Sequence, residues 1–278
     1  MSVIREPAVS GTFYPSNPKV LATDIANYLG EAMVPPIRGD ILGVIAPHAG
    51  YVYSGPVAAY GYKALVGRSY DTVIVIAPSH RVYFEGAALL KEGGYRTPLG
   101  VVPVDEDMAA RILKMQGAVT VDTRVHQGEH SLEVQLPFLQ SVLKDFSLVP
   151  IIMGAQDFGA CTGLAASISE AIAGSSKRVL VVGSTDLSHY YAYNHAVALD
   201  RVVVDHLEGF DIEGLGRDLG SEKTEACGAG PMITTMMLCR GMGADAGKVL
   251  KYANSGDTAG DKSAVVGYVS AVFFKAGA

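Results

Sequence analysis

Hydrophobic residues along this chain are gathered in short, nearly continuous aliphatic runs, and polar segments with histidine follow three of them. These runs cover residues 41–45, 72–76 and 179–182. Runs of this length are typical of strands that are buried on both faces of a parallel sheet. A helical pattern at residues 55–65 separates the first two runs. This order predicts a βαβ unit with a right-handed crossover.

The rest of the pattern predicts further helices and strands in one α/β domain over residues 1–278. Helices are predicted at residues 17–32, 105–115, 131–143, 157–173, 196–208 and 228–239. Strands are predicted at residues 84–91, 147–153, 248–254 and 264–274. Residues 95–99 are predicted to form a loop. The last strand is long, which favours a central position or antiparallel pairing.

Composition narrows the class of protein. Of 278 residues, 49% are hydrophobic and 18% charged, which favours a substantial core. The net charge of −6 argues against a nucleic-acid partner, because phosphate binding needs a basic face. No apolar run is long enough for a membrane span, and the N-terminus lacks an apolar signal core. We therefore expect a cytoplasmic protein without a membrane partner, and three widely spaced cysteines fit a reducing compartment.

Two histidines follow predicted parallel strands directly. His48 comes after residues 41–45, and His80 comes after residues 72–76. Open α/β sheets bind ligands at the carboxyl ends of their strands, and imidazole binds Zn, Cu, Fe and Ni. If the two strands are neighbours, both imidazoles reach one ion, although a third ligand is needed. The alternative for His48 is a loop histidine bonded to backbone.

Asp186 and His189 share the loop after the third run. One interpretation makes Asp186 a turn or helix cap and His189 a surface residue. The other makes one of them a ligand or an orienting group and the other an acid–base group.

Cys227 stands just before a predicted helix start. A helix N-terminus lowers the pKa of a thiol and so favours the thiolate that binds metal. Glu225, two residues earlier, is the competing carboxylate. Cys161 and Cys239 fall in apolar helical patterns and are expected in the core.

Polar residues are dense just before and within the predicted helix at residues 131–143. The polar groups of Glu129, His130, Glu133 and Gln135 are too many for a helix cap alone, so we expect them to line a site. A capped helix start is the alternative. Tyr51 is one of several tyrosines near the predicted site, and these either line a ligand pocket or pack.

Six segments, taken together, resemble the Memo family, whose microbial members are also called AmmeMemoRadiSam system protein B. The resemblance runs from about residue 5 to the C-terminus. The segments are residues 5–15 (REPAVSGTFYP), 47–55 (PHAGYVYSG), 77–80 (APSH), 129–139 (EHSLEVQLPFL), 184–190 (STDLSHY) and 226–231 (ACGAGP).

The resemblance implies a fold similar to that of class III extradiol ring-cleaving dioxygenases. These have a three-layer α/β/α architecture with a largely parallel mixed sheet, and two histidines and one glutamate hold their non-haem Fe(II). By resemblance, His48 and His80 take the histidine positions and Cys227 takes the carboxylate position. His189 matches the acid–base histidine, and Asp186 joins the pocket.

A thiolate is softer than a carboxylate and favours Cu(I), Zn or a differently tuned Fe. Fe(II) is the expected cofactor, with copper or zinc as alternatives. The expected function is a redox role on an unknown small substrate, with Tyr51, Glu129, His130 and Glu133 in the substrate site. The alternatives are a zinc hydrolase and an inactive module that binds a peptide or protein in the same pocket. Family association adds a radical SAM protein and an AMMECR-type protein as expected partners.

Overall fold

The structure of the protein, a computed structural model, describes residues 3–115 and 119–277. Its strands are β1 (Ile4–Arg5), β2 (Gly39–Ala46), β3 (Thr72–Pro78), β4 (Ala87–Leu89), β5 (Gly94–Thr97), β6 (Gly100–Pro103), β7 (Val119–Val121), β8 (Ser147–Met153), β9 (Val179–Ser184), β10 (His189–Tyr191), β11 (Ala246–Asn254) and β12 (Val265–Ala276). Its helices are α1 (Pro18–Glu31), α2 (Tyr51–Lys63), α3 (Glu106–Lys114), α4 (Arg124–Gln127), α5 (Leu136–Val142), α6 (Phe158–Ala173), α7 (Tyr193–Glu208), α8 (Ile212–Gly220), α9 (Ala229–Gly241) and α10 (Ser255–Thr258), with a 3-10 turn at Glu133–Gln135.

The main sheet contains the three strands that precede the histidine-bearing segments. Its central order is β12-β2-β9-β3-β8-β4-β7, and β2, β9, β3 and β8 are parallel. β9 lies between β2 and β3, so the expectation that these two strands are neighbours is wrong. Aliphatic periodicity identifies a buried strand but does not specify its place in the sheet. All three strands still end at the same edge.

Antiparallel strands complete the main sheet. β12 pairs antiparallel with β2, β10 and β11, as its predicted length suggested, and β4 pairs antiparallel with β8. The short strands β1, β5 and β6 form a separate sheet. The result is a mixed sheet with a parallel centre.

Helices cover both faces of this sheet, which confirms the three-layer α/β prediction. α2 packs on β2 and β12 and is joined by α1 and α5, whereas α9 packs on β2, β9 and β3 and is joined by α6. A Cβ at Gly183 would lie 2.6 Å from Thr235 Oγ1 and 3.0 Å from the carbonyl oxygen of Pro231. Glycine at this position therefore lets α9 pack close to β9.

Local differences from the predicted elements have physical causes. The helix predicted at residues 131–143 begins as a 3-10 turn, and α5 starts only at Leu136 with Pro137 in its first turn, where proline fits. The predicted loop at 95–99 is part of the hairpin β5–β6, whose turn includes Gly100 at φ +128°. α8 was not predicted. No helix in the described part of the chain is long and apolar enough to cross a bilayer.

Candidate metal centre

The histidine-bearing segments meet at the carboxyl edge of the parallel strands. His48 follows the end of β2 by two residues, His80 follows β3 by two, and Ser184 is the last residue of β9. This edge is where open α/β sheets bind ligands. The sheet therefore brings the two predicted metal-binding histidines together although their strands are not adjacent.

Three imidazoles form a cluster at this edge. His48, His80 and His130 each offer one ring nitrogen, and these nitrogens lie within 4.8 Å of one another. Ring centroids are 5.1 Å apart for His48 and His80, and 4.8 Å apart for His80 and His130. His48 is buried, His130 is half-buried and His80 is exposed, so the cluster opens to solvent beside His80. In the described residues this is the one group of three side chains placed to hold a metal ion.

The Glu129 carboxylate anchors two of these imidazoles. It lies 3.1 Å from His80 Nδ1 and 3.2 Å from His130 Nδ1, and it accepts backbone N–H bonds from His80, His130 and Ser131. Burial raises its pKa, but the hydrogen bonds from His130 and His80 outweigh burial and hold the pKa of Glu129 well below its usual range. An ionised carboxylate only accepts, so each Nδ1 carries the proton and each Nε2 is left for an ion. Glu129 thus holds the two rings through their Nδ1 atoms and leaves their Nε2 atoms available.

His48 has a different set of partners. Its Nδ1 lies 2.9 Å from Ser184 Oγ, and its backbone N–H donates to Asp186 Oδ1 at 2.8 Å. Burial, followed by the neighbouring imidazoles His80 and His130, lowers the pKa of His48 well below its ordinary value. The ring is therefore neutral near pH 7, which is the form that binds a metal.

Cys227 touches one member of the cluster. Its Sγ lies 3.2 Å from His48 Nε2, but Cys227 is not part of the group of three. A Cβ at Gly228 would overlap the carbonyl oxygen of Ser184, so glycine there lets the cysteine segment reach the end of β9. Burial, and then the Asp186 carboxylate, raises the pKa of the Cys227 thiol. The expectation that the helix start favours the thiolate is therefore wrong for the metal-free protein, and metal binding must release the proton.

Asp186 and His189 border the cluster on the side of Cys227. Asp186 Oδ2 lies 3.9 Å from His48 Nε2, and burial raises the pKa of Asp186. The backbone N–H of His189 donates to Glu225 Oε1 at 2.8 Å. His189, Glu225 and Cys227 help to line a pocket of about 240 Å³. His189, the predicted acid–base residue, thus lines a space for a small molecule.

Two predicted substrate residues lie elsewhere. Glu133 is fully buried and is bonded to Arg5, to the backbone N–H groups of Ala8 and Val9, and to the Tyr14 hydroxyl. The Tyr51 hydroxyl is also buried and donates to the Val134 carbonyl oxygen at 2.7 Å. These contacts give the polar atoms of both side chains structural partners, and neither residue is among the three candidate ligands.

Sequence reasoning did not assign a role to Ser184. It is the last residue of a buried strand, two residues before Asp186 in the motif, and that polar strand end is the signal that could have identified it. His130 was predicted to bind substrate, and the structure places its ring among the candidate ligands instead.

The donor set fits a borderline or soft transition metal. Three imidazole nitrogens and one adjacent sulfur suit Zn, Cu and Fe, whereas Mg and Ca prefer oxygen. In a tetrahedral site with these donors, adjacent nitrogen and sulfur ligands lie about 3.6 Å apart, close to the distance between Cys227 and His48. The chemistry of the residues present therefore fits such a metal ion.

A family model described as a Memo-like protein matches residues 5–272. The chain belongs to this family. A MEMO1 family protein of Ignicoccus hospitalis is 38% identical over 281 residues, with 98% of this chain and 99% of the relative covered. MEMO1 family proteins of Methanothermobacter thermautotrophicus and Methanopyrus kandleri are each 37% identical, covering 96% and 97% of this chain and 99% and 98% of the relatives. The resemblance in the six sequence segments is thereby confirmed, and the histidine cluster is compatible with metal binding by this family member.

Proposed function

We propose that this protein binds one redox-active metal ion, Fe(II), through His48, His80 and His130, with the Cys227 thiolate as a fourth donor. The observation that carries the proposal is the convergence of three imidazoles whose opposite nitrogens are held by Ser184 and Glu129. Metal-binding histidines are normally held in this way. The resemblance implied His48, His80 and Cys227 as ligands, and the proposal adds the imidazole of His130.

We propose a redox reaction on a small substrate as the use of this ion. When bound, Fe(II) supplies electron transfer to or from a substrate. Asp186 and His189 would hold and move protons, since a buried carboxyl with a raised pKa can exchange a proton near neutral pH. The pocket of about 240 Å³ beside Cys227 has room for a small substrate.

Anaerobic titration of the metal-free protein with Fe²⁺ tests the proposal. One ion should bind per chain. The variants His48→Ala, His80→Ala and His130→Ala should each weaken binding strongly, and Cys227→Ser should weaken it and change the absorption spectrum of the bound metal. His195→Ala, a histidine outside the cluster, is the matched control. Binding that is unaffected by His48→Ala would overturn the proposal.

Oxygen-consumption assays with a panel of catechols and related small molecules then test the redox role. Turnover that requires His189 supports it. The zinc alternative is favoured by one observation, the thiol beside an imidazole in a site that could be tetrahedral. Full zinc occupancy in protein purified without added metal, together with no oxygen consumption, would favour that alternative over iron.

A further inference from the structure

We infer that Ser184 and Gln135 are positioning residues that fix His48 in the Nδ1–H tautomer, with the bare Nε2 directed at the metal cluster. The inference rests on the proposed metal function and deepens it, because it explains how the one imidazole not held by Glu129 is prepared as a ligand. All three side chains are essentially buried, so water does not compete for their hydrogen bonds.

The Gln135 amide has one allowed orientation. Its Nε2 lies 3.0 Å from the Pro47 carbonyl oxygen and 2.8 Å from Ser184 Oγ, while its Oε1 accepts from the Tyr62 hydroxyl at 2.6 Å. A flipped amide would place Oε1 against the Pro47 carbonyl, which is also only an acceptor. The amide nitrogen therefore faces Ser184 as a donor.

The Ser184 hydroxyl then has only one arrangement left. It has one proton and two lone pairs. The Ser131 carbonyl oxygen, 2.7 Å away, is only an acceptor and takes the proton, and the Gln135 amide occupies one lone pair. The remaining lone pair faces His48 Nδ1 at 2.9 Å, so that nitrogen carries a proton.

The proton on Nδ1 leaves Nε2 of the neutral ring with its lone pair. Nε2 is also the atom that lies 3.2 Å from Cys227 Sγ, so it accepts from the protonated thiol when no ion is bound. The hydroxyl thus does for His48 what the Glu129 carboxylate does for His80 and His130. A ring with its proton on Nε2 could not bind the ion through that atom.

Nitrogen-15 NMR of metal-free protein labelled at histidine tests the tautomer directly. Spectra are taken at a pH where the imidazoles are neutral, and His48 is assigned by its loss in His48→Asn. Wild-type His48 should show a protonated Nδ1 and a bare Nε2. A proton on Nε2 in the wild type would overturn the inference without recourse to any further variant.

Variants test the role in metal binding. Ser184→Ala should shift His48 toward the Nε2–H form and weaken anaerobic Fe²⁺ binding by about 10–100-fold. Gln135→Met should weaken it less, since Ser131 still orients the hydroxyl. Ser270→Ala removes another buried strand hydroxyl, one without a hydrogen-bond partner among the described residues, and should change neither readout. Circular dichroism checks that each variant is folded.

The outcomes separate this inference from the proposed function. Wild-type protein that binds no Fe²⁺ refutes the proposed function, while the NMR spectrum still decides the tautomer. Wild-type protein that binds Fe²⁺, together with a folded Ser184→Ala protein that binds it equally well, refutes the positioning role alone.

Discussion

Glu129 and Glu133 lie in the same short segment between α4 and α5, and both side chains are buried, yet they contact different parts of the molecule. Glu129 holds the rings of His80 and His130. Glu133 binds Arg5, Tyr14 and the backbone of Ala8 and Val9, and so attaches the N-terminal segment, residues 4–14.

The two regions differ in the groups that donate hydrogen bonds to the buried carboxylate. A buried carboxylate needs compensating hydrogen bonds wherever it lies. At Glu133 a permanently charged guanidinium and backbone groups supply them, which makes a structural contact. At Glu129 they come partly from imidazoles whose other nitrogens stay available, which makes a candidate metal site. Burial alone does not separate the two roles.

The largest expected effect is the loss of stability in Glu133→Gln. The change removes the charge that compensates buried Arg5, and breaking such a pair costs about 3–5 kcal/mol. Urea denaturation of the metal-free protein measures this free energy of unfolding. The Fe²⁺ affinity of the folded variant should equal that of the wild type. A parallel loss of affinity would mean that the N-terminal segment controls the histidine cluster.

Glu129→Gln makes the same chemical change at the carboxylate that holds His80 and His130. Both Nδ1 atoms lie against Oε1, and the His80 backbone N–H donates to Oε2. An amide has only one acceptor oxygen, so its NH2 group would face one of these N–H donors, and Fe²⁺ affinity should fall by about 10–100-fold. Anaerobic titration against a competing chelator measures it, with Glu133→Gln as the matched control. Equal affinities in the two variants would remove the distinction drawn between the glutamates.

The pH dependence of stability should also differ at Glu129. Its pKa in the folded protein is lowered from the ordinary value of 4.5, so its contribution is fully present above that pH and is lost as the pH falls below it. The stability gap between wild-type and Glu129→Gln metal-free proteins should therefore narrow on acidification below pH 4.5. Denaturation curves over a series of pH values measure the gap, and a gap that widens in acid would contradict the sign.

The smallest expected effect is at Tyr51. Its ring centroid lies 5.6 Å from that of Tyr14, the residue whose hydroxyl bonds Glu133. Tyr51→Phe removes the hydrogen bond to Val134 and should cost about 1 kcal/mol of stability. Thermal unfolding measures this loss. Unchanged Fe²⁺ affinity is expected, and weakened binding would restore Tyr51 as a candidate site residue.

The sequence was sufficient to predict the buried strands and the positions of His48 and His80, because both follow from local patterns. Aliphatic runs identify the strands, and the carboxyl ends of parallel strands identify the edge. The insertion of β9 between β2 and β3 was not predictable in the same way, since strand order depends on how the layers pack.

The role of His130 could not be predicted from local pattern. It lies outside the strand ends, and only the path of the segment before α5 brings it to the cluster. The structural role of Glu133 was not predictable for a related reason, because its partner Arg5 lies near the N-terminus, far away in sequence. The charge state of Cys227 depends on burial, which a helix-start motif does not report.

The close packing of α9 on Gly183 has an evolutionary consequence. Cys227 lies directly before this helix, so the height of the helix above the sheet sets how near the sulfur comes to His48. A lineage that gained a side chain at position 183 would lift the helix and withdraw the sulfur. The proposed metal centre would then lose its sulfur donor and keep three nitrogen donors, although all four proposed ligands stayed unchanged in the sequence.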